Sequence, residues 1–105
     1  MRRAPARSRE EFGKYWLTDH AAYTKRRPKV SAYCQLHADD VLMGQLSSPS
    51  MPPADFDGLA LMYTASPDDY VSVIRDAGQD GGLDDAGEFL DLPRSPPMGL
   101  CRVLL

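Results

Sequence analysis

The apolar positions of this chain change period several times, and each change marks an element. After Ser8, Phe12, Trp16, Asp19 and Tyr23 recur on one face at about 100° per residue, with Tyr15 and His20 flanking it. Ser8-Arg9-Glu10-Glu11 has the spacing of a capping box, in which Ser8 accepts from the Glu11 amide and Glu11 reaches back. This predicts a helix from about Arg9 to Arg26, stopped by Pro28. From Val30 to His37 the period becomes two. Val30, Ala32, Cys34 and Leu36 form an apolar face; Ser31, Tyr33, Gln35 and His37 form a polar-aromatic one.

Residues 38–55 carry Ser47-Ser48-Pro49-Ser50 and Met51-Pro52-Pro53, which predicts a loop, long enough to serve as a lid or binding element. Phe56 to Tyr63 is apolar on both faces, the pattern of a strand covered on both sides. Ser66-Pro67-Asp68-Asp69 opens a second helix with a cap, a first-turn proline and first-turn acids. Tyr70, Val71, Val73, Ile74 and Ala77 supply its buried stripe and Gly78 its end. A short helix or turn is expected over Asp84–Leu90. An extended stretch follows around Pro93, Pro96 and Pro97, then a last strand from Gly99 to Leu105. Helix, strand, strand, helix, strand is the order of a ferredoxin-like α+β unit lacking its first strand. Only Met1–Ala6 precedes the first helix, and that segment is short, basic and interrupted by Pro5.

Composition narrows the class. The 105 residues make one domain spanning 1–105, 43% hydrophobic and 26% charged, as in an ordinary globular protein. No apolar stretch reaches the roughly 20 residues of a membrane helix. Two cysteines, Cys34 and Cys101, give no disulfide framework, and with no asparagine there is no glycosylation sequon. Arg2-Arg3 is not followed by the apolar stretch of an export signal, and the arginine-rich start is very short for a presequence, so a cytoplasmic protein is expected. Residues 1–29 carry a charge of +6 and the remainder −9. That split suits solvated faces or complementarity between two copies, and the acidic total argues against nucleic acid. A thin core at this size favours oligomers.

Four short motifs, in order, resemble a known family. Glu11-Phe12, Tyr15-Trp16 and His20-Ala21 resemble the F-x-x-x-W-x-x-x-H-A pattern that opens the EthD domain. Tyr33 and Gln35 resemble the tyrosine and glutamine of its next strand, and Asp57-Gly58 the start of its third. Asp84-Asp85, Phe89 and Asp91 resemble its D-E-x-x-F-x-D segment. The resemblance implies a ferredoxin-like antiparallel sheet with two helices on one face, dimerising as an α+β barrel. It implies a homodimeric enzyme of aromatic or polyketide metabolism that needs no metal or organic cofactor. The family's first strand is missing or reduced here. It would lie between the last strand and the Phe56–Tyr63 strand, so either it is supplied upstream or the sheet is incomplete. A chain without it is expected to be poorly stable, or to close the gap by pairing the two flanking strands directly.

His20 is the leading candidate for chemistry. A histidine at the margin of a buried face suits proton transfer near neutral pH, and the resemblance points to the same residue as catalytic. Tyr33 and Gln35 would bind a phenol or enolate oxygen if their strand face turns toward the helices, and would form an interface stripe if it does not. Trp16, Tyr15, Tyr63 and Phe89 could line an aromatic substrate pocket or be ordinary core. Asp85 and Asp91 read as caps or staples of the short helix, and both cysteines as inert thiols. There is no phosphate loop, dinucleotide fingerprint, zinc motif or serine elbow. His20 and His37 lack metal-ligand spacing, so no metal is expected; haem on His20 stays open because related barrel families bind it. The expected function is a cofactor-independent oxidoreductase or oxygenase acting on a small aromatic molecule through its enolate. The alternatives are a decarboxylase, dehydratase or cyclase on a similar substrate, or a non-catalytic binding module. No nucleic acid and no membrane are expected as partners.

Overall fold

A computed structural model of the chain describes residues 1–97 and Gly99. The capping box forms: the Ser8 hydroxyl accepts from the Glu11 amide at 3.1 Å and the Ser8 amide donates to Glu11 at 2.9 Å. From it runs a continuous helical stretch in three parts: α1 (Arg9–Tyr15), a π-helical turn (Trp16–His20) and α2 (Ala21–Lys25). The π turn alters the expected stripe. The Ala21 amide bonds the Trp16 carbonyl, five residues back, and the Thr18 hydroxyl bonds the Lys14 carbonyl at 2.7 Å. A hydroxyl competing for a helical carbonyl loosens the ladder, and the extra residue is accommodated there. The buried positions become Phe12, Trp16, Ala21 and Thr24, while Asp19, expected on the stripe, faces solvent.

Strand β1 (Ala32–His37) pairs antiparallel with β2 (Gly58–Tyr63), with Tyr33 opposite Met62, Gln35 opposite Ala60 and His37 opposite Gly58. Among the described residues the sheet has these two strands, so the fold is α+β. The polar-aromatic face turns inward, onto the helices. The apolar face of Ala32, Cys34 and Leu36 turns outward beside Leu59, Leu61 and Tyr63. The double cover expected for the second strand is therefore present on one side only, since Leu36 and Tyr63 remain 47% and 43% exposed.

Residues 38–55 are not all loop. Asp39 accepts from the Leu42 amide at 2.9 Å and caps α3 (Asp40–Leu46). Its large apolar side chains Val41, Leu42 and Leu46 are exposed, so there was no buried stripe to betray it. Helix α4 (Pro67–Ala77) has the expected Ser66 cap and ends at Gly78. Only Val73 of its stripe is fully buried; Val71 and Ile74 are exposed. A short α5 (Gly82–Ala86) follows, and Leu92–Arg94 forms a 3-10 turn instead of extended chain. The strand expected at Gly99–Leu105 lies outside the described residues, apart from Gly99.

The segment before α1 is better used than its composition suggests. The Met1 ammonium donates to the Gly58 carbonyl and the Asp57 amide to Met1, both at 2.8 Å. On the other side the Ala4 amide bonds Phe89 and the Asp91 amide bonds Arg2, making one antiparallel bridge between Arg3 and Leu90. Where a first strand was expected to be missing or reduced, the segment makes this single bridge. It is fixed by Asp57, whose carboxylate takes the Arg3 amide at 2.8 Å, the Arg3 guanidinium and Arg9 Nε at 3.0 Å. Burial alone would raise the Asp57 carboxyl; these donors outweigh it and hold it below the ordinary carboxylate value.

Phe12, Trp16, Ala86 and Phe89 form the core, with Phe12 5.4 Å from Phe89 and 5.6 Å from Trp16 between ring centroids. Gly58 completes it, because a Cβ there would stand 2.4 Å from the Trp16 ring. Gly58→Ala should cost about 1–3 kcal/mol by overpacking. Gly44→Ala, in α3 with nothing within 4 Å of the added carbon, should gain about 0.5–1 kcal/mol from helix propensity. Urea denaturation of the two variants checks both signs.

Candidate active site

The π turn carries His20 to the inner edge of the helix, opposite α5. There His20 Nδ1 lies 2.8 Å from one oxygen of Asp85, and the Tyr15 hydroxyl donates to the other at 2.5 Å. The side chains of His20 and Asp85 are 13% and 14% exposed. An ionised carboxylate can only accept, so Nδ1 carries a proton and Nε2 is left as the reactive nitrogen. The imidazole packs against Phe89 at 4.8 Å and Tyr23 at 5.8 Å between centroids. Tyr15 in turn lies against Phe89 at 5.3 Å, with the Arg7 guanidinium 4.5 Å above its ring. The bond to Asp85 pushes the Tyr15 phenol up to about 12, with burial and the Asp85 charge adding to it. The arrangement can hold an imidazole in one tautomer, steady the imidazolium formed when Nε2 takes a proton, and keep a neutral phenol beside it.

A second polar network lies on the inner face of β1. Trp16 Nε1 donates to the Tyr33 hydroxyl at 2.9 Å. Gln35 Nε2 donates to the Trp16 carbonyl at 3.0 Å and to the same hydroxyl at 2.9 Å. Because a carbonyl only accepts, the amide nitrogen must face Trp16, and Gln35 Oε1 then faces His37 Nε2 at 2.9 Å. Burial pushes the Tyr33 phenol up, against the bonds from Gln35, Trp16 and Thr24, which favour its ionised form. His37 itself is exposed and packs on the Trp16 ring at 4.5 Å.

These positions sort the residues singled out by sequence. Trp16 and Phe89 have no exposed surface and act as walls of the core. His20 lies on Phe89, and Tyr33 and Gln35 lie on Trp16, so the core aromatics join the two polar groups. Tyr63 is on the outer face of the sheet, opposite Ala32, and shares neither group. Asp85 is the member that sequence reasoning did not assign to the site, and Tyr15, read only as a wall of an aromatic pocket, instead donates its hydroxyl to Asp85. Asp85 read as a helix staple because nothing in its spacing ties it to residues 65 and 70 positions earlier. The only signal was its place in the D-E-x-x-F-x-D-like segment. Asp91 instead faces Arg94 at 3.7 Å.

Clefts open elsewhere on the described surface. One of about 500 Å³ lies beyond Tyr23, between the ends of α2 and α4; another, about 280 Å³, lies against Tyr70, Ile74 and Pro97. His20 lines neither. Among the described residues no group of three or more His, Cys, Asp or Glu is placed to hold a metal ion, and no helix is long and apolar enough to cross a membrane.

Against known proteins, the model of the EthD domain matches residues 4–93. No curated protein and no solved structure matches the chain.

Tyr15 gives a direct readout of the cluster. Its folded-state value lies above the ordinary phenol value of 10.0, so the bond to Asp85 supports the fold in full below pH 10 and is lost as pH rises through about 12. Ultraviolet titration should show a tyrosine ionising near pH 12 that disappears in Tyr15→Phe. In Asp85→Asn it should move back toward 10.

Proposed function

The chain belongs to the EthD domain family, and on that footing we propose that it is a small enzyme of enolate chemistry. It would act on an aromatic or polyketide-type molecule as a cofactor-independent oxygenase, with His20 as the acid–base group. The observation that carries this reading is the Tyr15–Asp85–His20 cluster, a partly desolvated imidazole fixed at Nδ1 by a carboxylate that a phenol holds from the other side. His20 Nε2 removes the proton from a phenol or from the activated carbon beside a carbonyl. Asp85 stabilises the imidazolium that results. The deprotonated substrate is then electron-rich enough to reduce dioxygen itself. His20 can return its proton to the same type of enolate, so a decarboxylase, dehydratase or cyclase would need no different residues.

The resemblance also supports a homodimeric ferredoxin-like α+β barrel, in which two sheets face each other. The outward apolar face of Ala32, Cys34, Leu36, Leu59, Leu61 and Tyr63 supports that pairing physically. One observation favours a second reading, a non-catalytic binding module. His20 is mostly buried and lines neither cleft, as a purely structural His–Asp pair would be.

Incubation with anthrones and carboxylated anthraquinone precursors, in air and under nitrogen, separates the readings. Turnover only in air marks an oxygenase, and loss of carbon dioxide or water under nitrogen marks a lyase. Binding without turnover of any substrate supports the module. In either enzyme His20→Ala should lower kcat by about 10²–10⁴-fold. Its stability should stay within about 1–3 kcal/mol of wild type. Full activity in that variant would remove His20 from the mechanism.

For the pairing, sedimentation should give a dimer at micromolar concentration. Leu36→Glu, a charge on the outer face, should give a folded monomer. A wild-type monomer at tens of micromolar would remove the barrel.

A further inference from the structure

The cleft of about 500 Å³ between the ends of α2 and α4 is a second feature to weigh; His20 does not line it, and the two adjoin only through Tyr23. Its volume lies within the roughly 300–1,000 Å³ of ordinary ligand sites. Its floor is fixed. Arg27, with a side chain 9% exposed, donates from Nε to Asp80 at 2.8 Å and from Nη2 at 3.2 Å. The Gly82 amide bonds the same carboxylate at 2.8 Å, and a Cβ on Gly82 would lie 2.3 Å from Arg27 Nη2. Those two charges cancel each other.

Arg26 also acts on Asp80 through its charge, but among the described residues neither it nor Asp76 has such a bonded partner. Arg26 spends its Nε on the Ala22 carbonyl at 3.1 Å and lies 5.1 Å above the Tyr23 ring. Among the described residues its terminal nitrogens have no hydrogen-bond or ion-pair partner, and neither does the Asp76 carboxylate. Asp76 also stands at the C-terminal end of α4, where the helix dipole adds negative potential. A simple anion would meet Arg26 but be repelled by Asp76; a simple cation would meet the reverse. Tyr23 and Pro28 add apolar surface to the lining.

The geometry points to this cleft as a site for a zwitterion on a flat apolar body, with its carboxylate at Arg26 and its ammonium at Asp76. An aromatic α-amino acid has that chemistry. The inference does not rest on catalysis by His20.

Isothermal titration of the full chain with L-tryptophan, tryptamine and indole-3-propionate tests it, since the last two each lack one charge. Tryptophan should bind about tenfold or more tightly than either, the value of one charge-assisted contact. Arg26→Gln should reduce tryptophan to the level of tryptamine and leave tryptamine unchanged. Asp76→Asn should reduce it to the level of indole-3-propionate and leave that acid unchanged. Both residues are exposed, and unchanged melting temperatures would confirm that the variants fold. No saturable binding of tryptophan, equal binding of all three ligands, or tryptophan affinity indifferent to both variants would overturn the inference.

Discussion

Trp16 lies across Gly58 with no space between them, and most of the molecule is arranged around that contact. The indole occupies the volume where a side chain at position 58 would be, with the projected β-carbon 2.4 Å from the ring. This close approach lets the helix lie directly on the sheet. It brings Trp16 Nε1 to the Tyr33 hydroxyl and the Trp16 carbonyl to Gln35, so the packing contact and the polar network share one residue. On the other side, Phe12 and Phe89 continue the aromatic layer to the wall on which His20 rests. Core and candidate site are therefore not separable layers: the rings that exclude water from one also form the backing of the other.

Asp57, immediately before that glycine, does an equivalent job for the chain's start. Its carboxylate gathers Arg3 and Arg9, and Arg9 also pairs with Asp40 at the head of α3. A nearly buried carboxylate is tolerable only because it is saturated with donors. Several of the basic residues near the start thus have structural partners, which makes the charge split partly an internal ion-pair arrangement.

What the sequence disclosed follows from range. Ser8-Arg9-Glu10-Glu11 and Ser66-Pro67 are local signals, since capping needs only neighbours, and both helices begin where they predict. The alternation from Val30 to His37 located β1, but alternation cannot say which face is inside; here the polar-aromatic one is, because its polar atoms find partners on Trp16. Helix α3 escaped because its apolar residues are exposed and its cap sits among loop-like residues. The Asp85 partnership was invisible because it is purely tertiary. His20 stood out by residue type, yet its angular position depends on the π turn, which a regular 3.6-residue period does not contain.

That turn holds one residue more than the α-helical turn it replaces. A π turn closes at the fifth residue instead of the fourth, so it takes up the extra residue within about one revolution and the helix beyond it continues in nearly its former phase. A chain one residue shorter between Trp16 and His20 could close into regular α-helix and still bring Ala21 and Thr24 to the core. The change would fall on the bulge itself, where His20 meets Asp85. A single-residue change of length here is therefore cheap for the fold and costly for the site. In an alignment of relatives it would stand as a one-residue gap that divides sequences with this histidine placement from those without it.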